Sequence, residues 1–256
     1  MQRFLLIGNS FSEDLEMYFP YIANEFGFDV EIHSLGYGGC TIDQHLDFIK
    51  NNKDVYTYRH FDKLTKQWVK DNGNQSPQQV IKLYDWDYVF LQQASHLSAI
   101  EGSLSNIDSL VQLIKDHLTN KDTKFIWQMT WPYPSFNEFD LFKDNFSSNS
   151  ELMYNKIVKN VEDYILYNRN FDMIVPSGTL VMNLKKYFDD RAIYRDVLHM
   201  SYHVGRYALS LLFAKLLLKI DINNVKCEPM SIPSKDKQNI IEAVNRTYIK
   251  PFEMRE

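Results

Sequence analysis

The chain has 256 residues, 45% hydrophobic and 24% charged, with a formal net charge of −5. That length suits one large α/β domain or two small ones with an ample core, and the acidic balance leaves no basic footprint for nucleic acid. Two cysteines, Cys40 and Cys227, make neither a disulfide framework nor a zinc-like pattern.

Phe4 to Ile7 is a short apolar run that reads as a buried strand ending at Gly8. It is too short for the apolar region of a signal peptide, so a cytoplasmic location is expected. A helical pattern begins right after Ser10, through Leu15, Tyr18, Phe19, Ile22, Ala23 and Phe26, with Pro20 kinking it and Gly27 ending it. Ser10 therefore falls in the first strand-to-helix turn. In an open parallel sheet that turn lies at the carboxyl edge, where ligands bind. The start of a helix also aims unpaired N–H groups and partial positive charge at the spot. Ser10 or Ser12 could equally be a plain helix cap.

Val30 to Leu35 reads as a second strand, followed by the loop Gly36-Tyr37-Gly38-Gly39 and a helix from Ile42 to Ile49. Residues 51–76 carry a strand period in Tyr56, Tyr58 and His60, with Thr65 to Lys70 as hairpin partner; an inserted hairpin is expected there. Ser76 and Pro77 open a helix to Tyr84. Asp87 to Leu91 is a third strand, with Gln92 and Gln93 at its carboxyl end, and a helix from Ser103 or Ser105 to Leu118 follows. Lys124 to Met129 is a fourth strand running into the aromatic, proline-stiffened Thr130 to Pro134. Residues 135–149 show no period and read as irregular loop. Helices are expected over Glu151 to Tyr167 and Ser177 to Tyr187, on either side of a fifth strand, Phe171 to Val175. A helix from Val204 to Lys219 follows, and a last one, Lys235 to Val244, lies in a C-terminal helical extension of about 226–256. The longest apolar stretch, Tyr207 to Leu218, is interrupted by Ser210 and Lys215 and is too short to span a bilayer. Five strands alternating with helices argue for a parallel, doubly wound sheet in a single domain, 1–256.

The second chemical stretch is Arg195 to Ser201. Asp196 and His199 are three apart, so on a helical turn they share a face. A carboxylate beside an imidazole fixes its tautomer, and a serine at the other ring nitrogen completes a nucleophilic set.

These stretches resemble the SGNH (GDSL-type) hydrolase superfamily, in particular a bacterial branch whose first block reads Gly-Asn-Ser-Phe-Ser. Gly8-Asn9-Ser10-Phe11-Ser12 matches the nucleophile block, with Asn9 where Asp is usual, and Asp196-Val197-Leu198-His199 matches the Asp-x-x-His block. Gly38-Gly39-Cys40-Thr41 resembles the second block. Leu91-Gln92-Gln93-Ala94-Ser95 falls where the third usually reads Gly-x-Asn-Asp, and so departs from it. The likeness runs over roughly residues 3–218. It implies a three-layer α/β/α, flavodoxin-like, five-stranded parallel sheet in the order 2-1-3-4-5. It also implies a serine esterase that removes a small acyl group such as acetyl from a carbohydrate or related alcohol, with no cofactor and no membrane or nucleic-acid partner. Ser10 is then the nucleophile, His199 the base and Asp196 its orienter. The N–H groups of Ser10 and Gly39, with an amide from Gln93 or its neighbour Gln92, hold the oxyanion.

Around these, Asn9 steadies the nucleophile loop, His96 lines the pocket, and Trp131 and Tyr133 form either a hydrophobic plug or a sugar-stacking wall. Asp14 favours the helix N-terminus or holds Ser12, and Cys40 is a small packed residue. A rival chemistry puts a metal on His199, His203 and Asp196. Another class altogether is a non-catalytic module that binds a carbohydrate or anion at the Ser10 turn.

Overall fold

The computed structural model describes residues 1–230 and 232–254. Its frame is one continuous sheet of seven strands: β1 (Gln2–Gly8), β2 (Val30–Gly36), β3 (Thr57–Asp62), β4 (Gln67–Lys70), β5 (Tyr88–Leu91), β6 (Lys124–Met129) and β7 (Met173–Pro176). Their order is β4-β3-β2-β1-β5-β6-β7. The pairings β2-β1, β1-β5, β5-β6 and β6-β7 are parallel, while β3 joins β2, and β4 joins β3, antiparallel. The expected five-stranded sheet is thus corrected to seven. The inserted hairpin pairs along β2 and widens the sheet.

Side-chain alternation along β1 sorts the core into two layers. Phe4 and Leu6 pack on one face with α1 (Ser10–Glu16), α2 (Phe19–Glu25), α8 (Ser177–Leu184), α10 (Gly205–Leu218) and α11 (Ser234–Ile249). Leu5 and Ile7 pack on the other with α3 (Ile42–Lys50), α4 (Pro77–Ile81), α5 (Ile107–His117) and α7 (Ser150–Tyr164).

The long helix expected after Ser10 is two helices. Pro20 sits in the first turn of α2, where its missing N–H costs nothing, and so marks a start and not a kink. The stretch read as irregular loop holds α6 (Asp140–Phe146), whose buried side chains are Phe142 and Phe146, one turn apart. A four-residue α9 (Asp190–Ile193) also went unforeseen. The C-terminal extension is dominated by α11; its positions 231, 255 and 256 lie outside the described residues. Among the described residues no helix is long and apolar enough to cross a membrane.

Candidate active site

Strand β1 ends at Gly8, where nothing larger fits. A Cβ there would lie 2.3 Å from the Ser12 hydroxyl and 3.0 Å from the Gln92 amide nitrogen. The chain then turns at Asn9, whose side-chain oxygen accepts the Phe11 N–H and caps α1. Its amide donates to the Cys40 carbonyl at 3.3 Å, tying the nucleophile turn to the loop after β2. Asn9 also lines the cleft beside Ser10. Ser10, partly exposed, is the first residue of α1.

The stretch bearing Asp196 and His199 is not a helical turn. It is a loop pinched by a bridge between Tyr194 and Met200, and the Asp196 carboxylate organises it from within. One oxygen accepts the N–H groups of Leu198 and His199, each at 2.8 Å. The His199 Nδ1 lies 2.9 Å from the other oxygen, and its Nε2 lies 2.8 Å from the Ser10 hydroxyl. The network assigns Nδ1–H as donor to the carboxylate and Nε2 as acceptor of the serine proton. Partial burial acts to raise the Asp196 pKa, but the bonds from the His199 and Leu198 N–H groups and from the imidazole outweigh it and hold it below the ordinary carboxylate value.

The loop is fastened from outside by residues that the sequence reading did not connect to it. The Trp131 indole N–H donates to the Leu198 carbonyl at 2.9 Å, and the Asn137 amide donates to the Val197 carbonyl at 2.8 Å. Trp131 in turn stacks on Phe11, with centroids 3.9 Å apart. Asp14, fully buried, receives Arg195 at 3.0 Å and Arg206 at 2.6 Å, and accepts the Met200 N–H at 2.7 Å. Of the two roles expected for Asp14, a bond to Ser12 is not seen among the described residues; the carboxylate locks α1 to the neighbour of His199. The one signal in the sequence was a carboxylate on the apolar side of an amphipathic helix, between Phe11 and Leu15.

Other expected site residues are placed differently. Gln93 is consumed by structure: its oxygen accepts the N–H groups of Ile42 and Ala94, and its amide donates to Ser103 at 2.7 Å. It is buried and is not among the residues lining the cleft beside Ser10. Gln92 donates to Asn9 at 2.6 Å, which makes it a brace for the nucleophile turn. Gly39 has φ +64, a value only glycine adopts without strain, and so closes the turn in which Cys40 N–H donates to Tyr37. Gly38, and not Gly39, lines the cleft beside Ser10. Trp131 and Tyr133 are buried to 1% exposure or less, so neither forms a sugar-stacking wall. His96 is exposed on the turn after β5 and lies outside that cleft. Cys40 is fully buried and burial pushes its thiol up to about 12, which keeps it protonated. Among the described residues no three His, Cys, Asp or Glu side chains stand close enough to hold a metal, so the His199, His203 and Asp196 set is not assembled.

The cleft beside Ser10 measures about 390 Å³ and is bounded by Gly36 to Gly38 on one side and by the hairpin residues Thr57, Arg59, Trp68 and Lys70 on the other.

This is a mixed α/β protein whose seven-stranded sheet and flanking helices are those of the GDSL-like hydrolase fold. The chain belongs to the family described as "Domain of unknown function (DUF4886)", which matches residues 3–247. A DUF4886 family protein from Bacteroides uniformis ATCC 8492 superposes with a TM-score of 0.91 at 28% identity, over 100% of this chain and 97% of its own. More distant structures share the fold alone. A protein from Parabacteroides merdae ATCC 43184 described as GDSL-like gives a TM-score of 0.51 at 10% identity, over 84% of this chain and 94% of its own. An acetyl-xylooligosaccharide esterase from Geobacillus stearothermophilus gives 0.51 at 12%, over 84% and 93%. Comparison with curated protein sequences gives no match.

Proposed function

We propose that the chain is a serine esterase that removes a small acyl group, acetyl above all, from a carbohydrate or related alcohol. The observation that carries the reading is the line Ser10–His199–Asp196, with contacts of 2.8 and 2.9 Å, opening onto a cleft. Ser10 Oγ attacks the ester carbonyl carbon while its proton passes to His199 Nε2. The negative oxygen that forms is held by backbone N–H groups of Ser10 and the Gly38-Gly39 turn, which donate to no protein acceptor among the described residues. The carbon–oxygen bond to the alcohol then breaks, and His199 returns the proton to the leaving oxygen. Water, deprotonated by His199, releases the acid from Ser10. Asp196 orients the ring and stabilises its charged form.

The acetyl and carbohydrate parts draw on the fold shared with the acetyl-xylooligosaccharide esterase, as a matter of analogy. A non-catalytic binding module would need the Ser10 turn but not the His199 and Asp196 contacts, so the hydrolase is the better reading. The test is acetate release from a panel of acetylated sugars by wild type and by Ser10→Ala, together with a fluorophosphonate probe read by intact mass. Release that survives Ser10→Ala, or a folded wild type that neither labels nor hydrolyses any ester, would defeat the proposal.

A further inference from the structure

We propose that the hairpin wall of the Ser10 cleft is a subsite for a monoanion, so that the ester's alcohol carries a carboxylate, as a uronic-type sugar does. Arg59 and Lys70 engage that carboxylate. This rests on the esterase reading of Ser10 and adds the charge of the substrate.

The first ground is placement. β3 and β4 are the antiparallel addition to the parallel sheet, and alternate residues of the pair face different ways. His60 and Tyr58 turn toward His33, whereas Thr57, Arg59, Trp68 and Lys70 line the cleft with Ser10. A substrate whose carbonyl sits at Ser10 therefore has this face against its other end.

The second ground is charge. Arg59 and Lys70 stand directly opposite each other in the strand register, an arrangement in which like charges repel. Arg59 is met by Glu13 at 2.6 Å and by buried Glu16 at 3.3 Å. Lys70, exposed, has no ion-pair partner among the described residues. Burial pushes the Glu16 carboxyl up to about 8, against the pull of Arg59, so near pH 7 it is largely neutral. The lining then holds two cations against the single carboxylate of Glu13, an excess of one positive charge in a chain whose net charge is −5. One carboxylate balances that excess; a dianionic phosphate overshoots it. A neutral acetylated sugar would leave Lys70 unused.

The third ground is rigidity. The Arg59 guanidinium lies 4.8 Å over the Trp68 ring, and the Trp68 N–H donates to the Met17 carbonyl at 3.3 Å. Tyr21 packs edge-on against Phe61, which packs on Trp68 in turn, and the Tyr21 hydroxyl donates to Lys66. The wall is thus fastened to the helices that follow Ser10 and needs little reordering to bind. Its volume of about 390 Å³ lies within the range of small-ligand sites.

The experiment compares an acetylated methyl glucuronide with the matching acetylated methyl glucoside. Wild type should favour the glucuronide in kcat/KM by about 10-fold, the value of one charge-assisted hydrogen bond. Lys70→Gln should bring the ratio close to one, and Lys70→Glu should invert it; Lys70 is exposed, so folding is not at stake. Binding of the deacetylated methyl glucuronide and methyl glucoside to Ser10→Ala, followed by calorimetry at low and high salt, reads the subsite without turnover. Tighter, salt-sensitive binding of the glucuronide supports the proposal. Equal binding of the two overturns it, as does a ratio that Lys70→Glu leaves unchanged or a preference for a 6-phosphate analogue. If no ester is cleaved yet the binding preference is present, the esterase reading fails and the anion subsite stands.

Discussion

Replacing Asp14 by Asn tests whether the site is held together from behind Ser10. Asp14 is fully buried. One of its oxygens receives Arg195 Nη1 at 3.0 Å and Arg206 at 2.7 Å (Nε) and 2.6 Å (Nη2); the other accepts the Met200 N–H at 2.7 Å. Asn keeps the volume, removes the charge and turns one acceptor into a donor that must face either a guanidinium or an N–H. Arg206, with 7% of its side chain exposed, would lose its ionic partner while keeping the Met17 sulfur and the Tyr202 ring. Removing one member of a buried pair costs about 3–5 kcal/mol. Arg195 is more exposed and adds at most about 1 kcal/mol. Asp14→Asn should therefore lower unfolding stability by about 3–5 kcal/mol, a large share of the roughly 5–15 kcal/mol typical of a domain. Urea denaturation at pH 7 measures it. Asp14→Leu combined with Arg206→Met should recover much of the loss, because no charge is then left unpaired. Turnover adds a second reading. Met200 adjoins His199, so in folded Asp14→Asn kcat should fall by about 10-fold or more while KM changes little, since small displacements of a catalytic group are costly. A stability loss under about 1 kcal/mol, or an unchanged kcat, would refute the tether.

Gln93→Leu should behave as a structural lesion: it strands the buried Ile42 N–H and Ser103 carbonyl, costs about 2–3 kcal/mol in urea titration, and lowers kcat by less than the roughly 10²-fold of a lost oxyanion donor. A large kcat loss at full stability would reverse that reading. For Glu16, burial raises the folded-state value from 4.5 to about 8. The stability it contributes is therefore complete below the unfolded value and is lost as pH rises through about 8. Glu16→Gln should flatten the decline in stability between pH 5 and pH 8, and parallel pH profiles for the two proteins would count against it. On the proposed esterase reading, His199→Ala should match Ser10→Ala in lost turnover, while Asp196→Ala retains more, since Asp196 transfers no proton in that scheme; a near-normal His199→Ala would remove the base.

The parallel strands were legible because each is a short apolar run between breakers, and β6 falls on Lys124–Met129 as expected. The meeting of Ser10 with His199 was legible for a different reason. Ser10 and His199 are 189 positions apart, and only their chemistry, with no periodicity, pairs them. Less legible were side chains whose packing and hydrogen-bond partners no sequence pattern marks. Trp131 and Tyr133 on a stiff loop look like a ligand wall until Phe11 stacks on one and Ser95 meets the other. Gln93 at a strand end gives no sign in the sequence that Ile42, Ala94 and Ser103 bond to its amide. Helix α6 was missed because two buried phenylalanines in a polar stretch make too narrow a stripe to read as a period.

Helix α1 is short yet carries three acidic side chains, two of them buried. In seven residues it holds Ser10, Glu13, Asp14 and Glu16. Ser10 meets His199, Asp14 meets Arg195 and Arg206, and Glu13 and Glu16 meet Arg59 on the hairpin. A seven-residue helix has little stability of its own, and a nucleophile on it would wander in rotation by amounts that matter to proton transfer. The contacts act on opposite sides: Asp14 fixes α1 against the His199 loop, and Glu13 and Glu16 fix it against the cleft wall. Buried ion pairs are poor stabilisers but good at specifying one arrangement over its neighbours. Here the contacts place Ser10, His199 and the hairpin wall in one common frame, so on the proposed reading a change at Arg59 is expected to disturb substrate choice and a change at Asp14 the chemistry, although both act through the same helix.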